Sequence, residues 1–265
     1  MSKKKIYIIV MILAALILAA ALYIKGSPGH NIICPVLTYH RLTSDLSMTS
    51  DWTTSPQKFE EDLCKLLDNG YTPIFTSELV LKDKPENFPD KPVIIQFDDG
   101  YNSVYELAFP ILKKYNAKAE IYIITDYTED MPREQNGNTF IGWQQLEEME
   151  KSGLMYTGVH GKTHLPVVEN YTDEEIKNNF IAAWEAIEER LGPRPHYYVY
   201  PQGRFNKKTV KLTKQAGCDE QFVWIWDMNW KLKNYVLGRI NIGYKTDVIK
   251  SIEWYNKTRK QKIKF

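Results

Sequence analysis

The chain has 265 residues, of which 43% are hydrophobic and 25% charged. That composition excludes a disordered polymer and suits one α/β domain with a sizeable core. A formal net charge of +1 gives no global case for a nucleic-acid partner, and none is expected.

The N-terminus is read first. Lys3, Lys4 and Lys5 precede an uncharged run from Ile6 to Ile24. As a helix this run is about 28 Å long, close to the thickness of a hydrocarbon layer. Lysines on the near side favour a cytoplasmic N-terminus, with the remainder outside. The expected organisation is an anchor over residues 1–25 and an extracellular domain over residues 26–265, placing the protein at the cell membrane. The competing reading is a cleaved signal with Ala19-Ala20-Ala21 at the cleavage region, which would give a secreted protein. Gly26 to Asn31 reads as a linker.

An apolar segment, Val36 to Tyr39, follows Pro35 and reads as a strand that runs into His40. Ser55-Pro56 opens a helix as N-cap and first-turn proline, and Asn69-Gly70 ends it. Tyr71 to Phe75 reads as a strand, and Ser77 starts a short helix. Val93 to Phe97 is continuously apolar apart from Gln96, as befits a strand buried on both faces. It ends in Asp98-Asp99-Gly100. Asn102 to Tyr115 has helical spacing, which Pro110 should kink or restart.

Ala119 to Thr125 is strand-like, Trp143 to Ser152 helical, and Leu154 to Val159 a strand that runs into His160. Thr172 and Glu175 form a capping box for a long helix that Gly192-Pro193 stops. Tyr197 to Tyr200 is a strand running into Pro201-Gln202-Gly203, and Asn206 to Ala216 a helix. Phe222 to Trp226 and Val236 to Ile242 read as the last strands, and the basic tail from Lys257 to Lys264 as a solvated end. Alternation of strand and helix implies parallel strands with helical crossovers, and seven or eight such units close into a barrel.

Four unusual stretches share one position. His40, Asp98-Asp99, His160 and Pro201-Gln202-Gly203 each follow a strand directly. In a parallel barrel all four gather at the carboxyl face, where active sites sit. Two adjacent acids raise one another's pKa unless a cation separates their roles. His160 and His164, on a loop, together with Asp98 or Asp99 supply two imidazoles and one carboxylate with open positions left on a metal. That set suits a zinc hydrolase or a non-haem iron oxygenase. The spare aspartate favours hydrolysis, because it can take a proton from water. Cys34, Cys64 and Cys218 are widely spaced and odd in number, so they form neither a disulfide framework nor a zinc ribbon.

These motifs resemble those of the polysaccharide deacetylases of the NodB-homology type, carbohydrate esterase family four, over roughly Pro35 to Ile242. Phe97-Asp98-Asp99-Gly100 is similar to the first family motif, and His160 with His164 to the second. Leu37-Thr38-Tyr39-His40-Arg41 and Tyr200-Pro201-Gln202-Gly203 resemble the exported deacetylases of poly-N-acetylglucosamine.

The resemblance implies a distorted (β/α) barrel of about seven parallel strands with outer helices, and N-deacetylation of an N-acetylglucosamine-containing envelope polymer. It implies Asp98 as base and His40 as general acid. The Gln202 backbone N–H would be an oxyanion donor, and Asp99, His160 and His164 metal ligands. The metal would be divalent, zinc first, with Co2+, Ni2+, Fe2+ or Mn2+ as substitutes. Tyr39, Tyr200, Pro201 and Trp230 are the expected substrate-binding residues, and the protein is expected to be a monomer. The alternatives are an O-acetyl esterase acting on a polymer such as xylan, and an anchored sugar-binding protein without catalysis.

Three departures stand out. Gln96 replaces the usual threonine, and Gly161 a hydroxyl residue that steadies the histidine loop. No arginine accompanies the third motif, where Val199 stands instead. Arg194 and Arg239 are the candidates for orienting Asp98.

Overall fold

The computed structural model describes residues 33–164, 171–224 and 237–258. The expected membrane anchor, the linker, Trp230 and most of the basic tail lie outside the described residues. Among the described residues, no helix is long and apolar enough to cross a membrane.

Seven parallel strands close into a barrel, as the alternation of elements implies. They are β1 (Val36–Tyr39), β5 (Pro92–Phe97), β6 (Ala119–Ile123), β9 (Met155–Val159), β10 (Tyr197–Val199), β11 (Glu220–Trp224) and β12 (Leu237–Asn241). β1 closes the ring, since Val36 pairs with Ile94 on one side and with Arg239 on the other. The ring is uneven. β9 and β10 are joined at Tyr198 and Val159, whereas β6 and β9 pair over five positions.

The strand expected over Tyr71 to Phe75 is shorter and lies outside the ring. β4 (Thr72–Pro73) pairs with Pro92 and Val93 at the start of β5, and β1 takes the same edge further along. Remaining strands form two small accessory pairs, β2 (Arg41–Leu42) with β3 (Thr53–Thr54), and β7 (Arg133–Gln135) with β8 (Asn138–Phe140).

Alternation along the strands builds two apolar layers. Val93, Ile95 and Phe97 face outward, into a core shared with helices α1 (Pro56–Asp68) and α3 (Phe109–Tyr115). Ile94, Val36, Tyr122, Val199 and Phe222 face inward, and Ile74, just after β4, and Leu79 of the short helix α2 (Thr76–Leu79) join them.

Local chemistry explains most helix ends. Ser55 Oγ accepts from the Lys58 N–H at 3.1 Å, with Pro56 in the first turn. Pro110 acts as expected: Val104–Ala108 is a turn of π-helix, in which the Phe109 N–H reaches back to the Val104 carbonyl, and α3 starts there. Helix α4 (Trp143–Lys151) lies between β8 and β9. The capping box at Thr172 and Glu175 opens α5 (Asp173–Leu191), and α6 (Lys207–Gln215) follows β10. A last helix, α7 (Val248–Thr258), packs against α1.

Candidate active site

The carboxyl ends of the strands surround a cleft of about 490 Å³. His40, Asp98, Asp99, His160, His164 and Gln202 all line it. Residues far apart in the chain thus converge, as the strand reading requires.

Asp98 and Asp99 leave β5 in different directions. Asp99 has a φ of 69°, a left-handed conformation that costs a non-glycine residue about 1–3 kcal/mol. This turn splits the two carboxylates. Asp98 is buried and meets Arg239 of β12 in a two-pronged ion pair, Nη1 to Oδ1 at 2.7 Å and Nη2 to Oδ2 at 2.8 Å. Burial pushes the Asp98 pKa up, but Arg239, His160 and His40 outweigh it and hold the carboxyl below its usual range. Arg239 therefore orients Asp98. Arg194, the other candidate, pairs with Glu150 instead.

Asp99 turns to the histidines. Its Oδ1 lies 3.2 Å from His160 Nε2 and 3.3 Å from His164 Nε2. One ligand atom from each of the three residues falls within 4.8 Å of the others. The Val199 carbonyl accepts from His160 Nδ1 at 2.8 Å. That bond places the proton on Nδ1 and leaves Nε2 free as a ligand. Two imidazole nitrogens and a carboxylate oxygen suit a divalent ion of the zinc type. Burial raises the Asp99 pKa, and the histidines more than reverse it, keeping the group ionised.

The histidine loop shows why residue 161 is glycine. Its φ is +95°, and a Cβ there would stand 2.9 Å from the Thr163 carbonyl oxygen and 3.3 Å from Asn179 Oδ1. Asn179 of α5 performs the steadying task instead. Its Oδ1 accepts from the N–H groups of Lys162 at 2.7 Å and Thr163 at 3.1 Å.

His40 lies across the cleft, with Nε2 3.8 Å from Asp98 Oδ2. Trp224 stacks on it, and Trp52 meets it edge-on with ring centres 4.9 Å apart. Burial is the largest influence on His40 and lowers its pKa, although Asp98 and Asp99 pull the other way. Gln202 has a φ of 55° and begins a tight turn after Pro201. Gly203 leaves room for Trp224, because a Cβ there would lie 2.1 Å from Trp224 Cδ1.

The expected substrate-binding residues fare differently. Tyr39 is not in the cleft. As the last residue of β1 it points outward, packs on Phe59 and Phe97, and donates to Asp62 at 3.3 Å. Strand alternation is the reason, since Thr38 takes the inward position. Tyr200 borders the cleft, but its hydroxyl is turned into the core toward Gln221. Pro201 is buried beneath the histidine loop, where its Cγ faces Gly161. Trp230 lies outside the described residues.

Sequence reasoning gave no role to six residues that line the cleft: Arg41, Trp52, Thr53, Tyr101, Asn138 and Trp224. Arg41 Nη1 donates to Asn138 at 2.9 Å and ties β8 to the site. Burial and the nearby Asp99 carboxylate raise the Tyr101 pKa. Arg41 directly follows His40 and Tyr101 directly follows Gly100, so both were marked by position alone.

A profile of the family described as Polysaccharide deacetylase matches residues 86–220. A poly-beta-1,6-N-acetyl-D-glucosamine N-deacetylase of Staphylococcus aureus (strain MSSA476) is 29% identical over 185 residues, covering 65% of this chain and 61% of that protein. The enzyme of that name from Escherichia coli (strain K12) is 23% identical over 221 residues, covering 70% of this chain but only 33% of its own length. Among solved structures, the Streptococcus pyogenes deacetylase PplD in complex with acetate is 23% identical. Its TM-score is 0.69, over 83% of this chain and 96% of that one, which is a likeness of fold. The profile spans the Asp98-Asp99 pair, both histidines of the loop and the Pro201-Gln202-Gly203 turn, more than half of the chain, and on that basis the chain belongs to the polysaccharide deacetylase family.

Proposed function

We propose that this protein is a metal-dependent hydrolase that removes N-acetyl groups from an N-acetylglucosamine-containing envelope polymer, poly-N-acetylglucosamine-like or peptidoglycan. The observation that carries this reading is the division of two neighbouring carboxylates, Asp98 on Arg239 and Asp99 on two imidazoles. The activity named for the Staphylococcus aureus and Escherichia coli relatives supports the substrate class.

Asp99, His160 and His164 would hold the divalent ion, with zinc the best match to the donor set. When bound there, such an ion acidifies a water and polarises a carbonyl. Asp98, ionised by its pairing with Arg239, takes a proton from the attacking water. The backbone N–H of Gln202 donates to the oxygen that gains charge. His40 as imidazolium gives its proton to the leaving nitrogen, the C–N bond breaks, and acetate and a free amine result. A lowered pKa makes that imidazolium a strong donor, and Asp98 steadies it from 3.8 Å. The product amines are cationic near neutral pH and change how the polymer adheres to anionic surfaces.

We further propose that residues 1–25 anchor the enzyme, with the barrel outside the cell. The function is tested by acetate release from three substrates: a β-1,6-linked N-acetylglucosamine oligomer, a chito-oligosaccharide and acetylated xylan. Release from the amino sugars, dependent on an added divalent ion, supports N-deacetylation. Release from xylan alone replaces it with O-acetyl esterase activity. No release and no bound metal reduce the protein to a sugar-binding one.

A further inference from the structure

The barrel interior holds a buried polar chain that reaches Asp98 through two residues the proposed reaction does not use, Glu120 and Gln96. It begins at Glu120 on β6, which is fully buried. Four donors converge on this carboxylate. The Thr76 N–H reaches Oε1 at 2.6 Å, while Thr76 Oγ1 at 3.0 Å, Gln96 Nε2 at 3.0 Å and the Tyr122 hydroxyl at 2.9 Å reach Oε2. Gln96 on β5 is equally buried, and its Oε1 accepts from Arg239 Nη1 at 3.3 Å. The same Nη1 donates to Asp98 at 2.7 Å. Glu120, Gln96, Arg239 and Asp98 thus form one chain from the α2 end of the barrel to the cleft.

The chain has a direction. A carboxylate only accepts and a guanidinium only donates. One orientation of the Gln96 amide satisfies both neighbours, with its NH2 toward Glu120 and its oxygen toward Arg239. The reverse would set donor against donor at Arg239 and acceptor against acceptor at Glu120. Arg239 requires the Gln96 oxygen and Glu120 accepts from the NH2 at the other end, so the two together hold Gln96 in one orientation. Among the described residues, Arg239 Nε has no hydrogen-bond partner. The guanidinium carbon lies 4.7 Å from the centre of the Trp224 ring, which supports one face of the group without setting its rotation in plane. That rotation is set by Asp98 and Gln96. A threonine at position 96 would be too short to reach both Arg239 and Glu120, so the chain depends on the length of glutamine there.

We infer that Gln96 and Glu120 are positioning residues, which hold the Arg239 fork in register so that Asp98 presents its carboxylate to the attacking water. This rests on the deacetylase reading above. A small misplacement of a reacting group is expensive in rate while leaving substrate binding intact.

The test uses the full chain with Gln96→Leu, Glu120→Gln and the double variant. Gln96→Leu removes both hydrogen-bonding ends at similar volume. Glu120→Gln keeps the size and weakens the acceptor that holds the Gln96 NH2, and it decides the matter should Gln96→Leu not fold. In acetate release from the amino-sugar oligomer, Gln96→Leu should lower kcat by about tenfold or more and leave KM and metal content unchanged. Glu120→Gln should lower kcat in the same selective way, and the double variant should be no worse than Gln96→Leu alone, because both act through one arginine. Unchanged kcat, effects that multiply in the double variant, or loss of metal alongside kcat would overturn the inference.

Nitrogen-15 NMR of the Arg239 side chain supplies a readout free of activity. Its Nη protons should exchange faster in Gln96→Leu than in the unsubstituted chain. A chain that releases no acetate refutes the deacetylase reading. Equal exchange rates refute the positioning role by itself.

Discussion

Arg239 and Asp98 carry opposite charges in a space that water barely reaches. Removing one partner of such a pair leaves an uncompensated buried charge and costs about 3–5 kcal/mol. Arg239→Met should therefore lower thermal stability markedly. It should also move the acid limb of kcat/KM. Arg239 helps hold the Asp98 pKa below its usual range against burial, so without it the pKa rises. The base is then protonated at a higher pH, and activity should fall off earlier on acidification. A limb that stays in place in a pH–rate profile would contradict this role.

Asn179 offers a second prediction at this scale. Asn179→Ala frees the Lys162 and Thr163 N–H groups and loosens the histidine loop. Affinity for the metal should drop by about tenfold, in the range seen for outer-shell partners, as titration with a chelator would read. The sequence showed Gly161 as a loss of a hydroxyl. It could not show that an amide from a helix eighteen positions on supplies the same service.

At the scale of elements, legibility followed the strength of the local signal. Ser55-Pro56, Pro110 and the Thr172–Glu175 box each announced a helix boundary, because capping and proline chemistry act within a few residues. The hairpin of β7 and β8 was overlooked although Asn136-Gly137, both at positive φ, is a strong hairpin turn. Its strands are short and polar, so periodicity was silent. The family resemblance placed Tyr39 at the substrate, whereas the pleat turns adjacent residues to opposite faces and leaves Tyr39 outside the cleft that His40 lines.

Trp52 depends on an element too. The loop between β2 and β3 is tied down where Asn241 Nδ2 donates to the Asp51 carbonyl at 2.8 Å. This sets a half-exposed indole beside His40. A large apolar ring at the mouth of the cleft suits stacking on a pyranose face of the proposed substrate. Trp52→Ala should raise KM several-fold and alter kcat less, in steady-state kinetics on a soluble oligomer.

For the whole molecule, closure of the ring by β1 is what brings residue 40 beside residue 98 and residue 239 beneath both. Alternation of strand and helix foretold a parallel barrel, and the strand-end positions foretold which residues would gather. Arg239 was one of two candidate partners of Asp98, and choosing it over Arg194 needed the fold, because it arrives from β12, 141 positions away in sequence. Outside the barrel, the N-terminal run makes its own prediction. The intact chain should sediment with membranes and leave them only with detergent, and protease added to whole cells should remove the barrel. Protection from that protease would refute the proposed orientation.

The central claim is that two adjacent carboxylates do different work. It is tested most directly by measuring bound metal and acetate release together in Asp98→Asn and Asp99→Asn, each checked for folding. The account predicts that Asp98→Asn retains the metal and loses turnover, whereas Asp99→Asn loses the metal. Full activity in Asp98→Asn, or equal loss of metal in both, would contradict it.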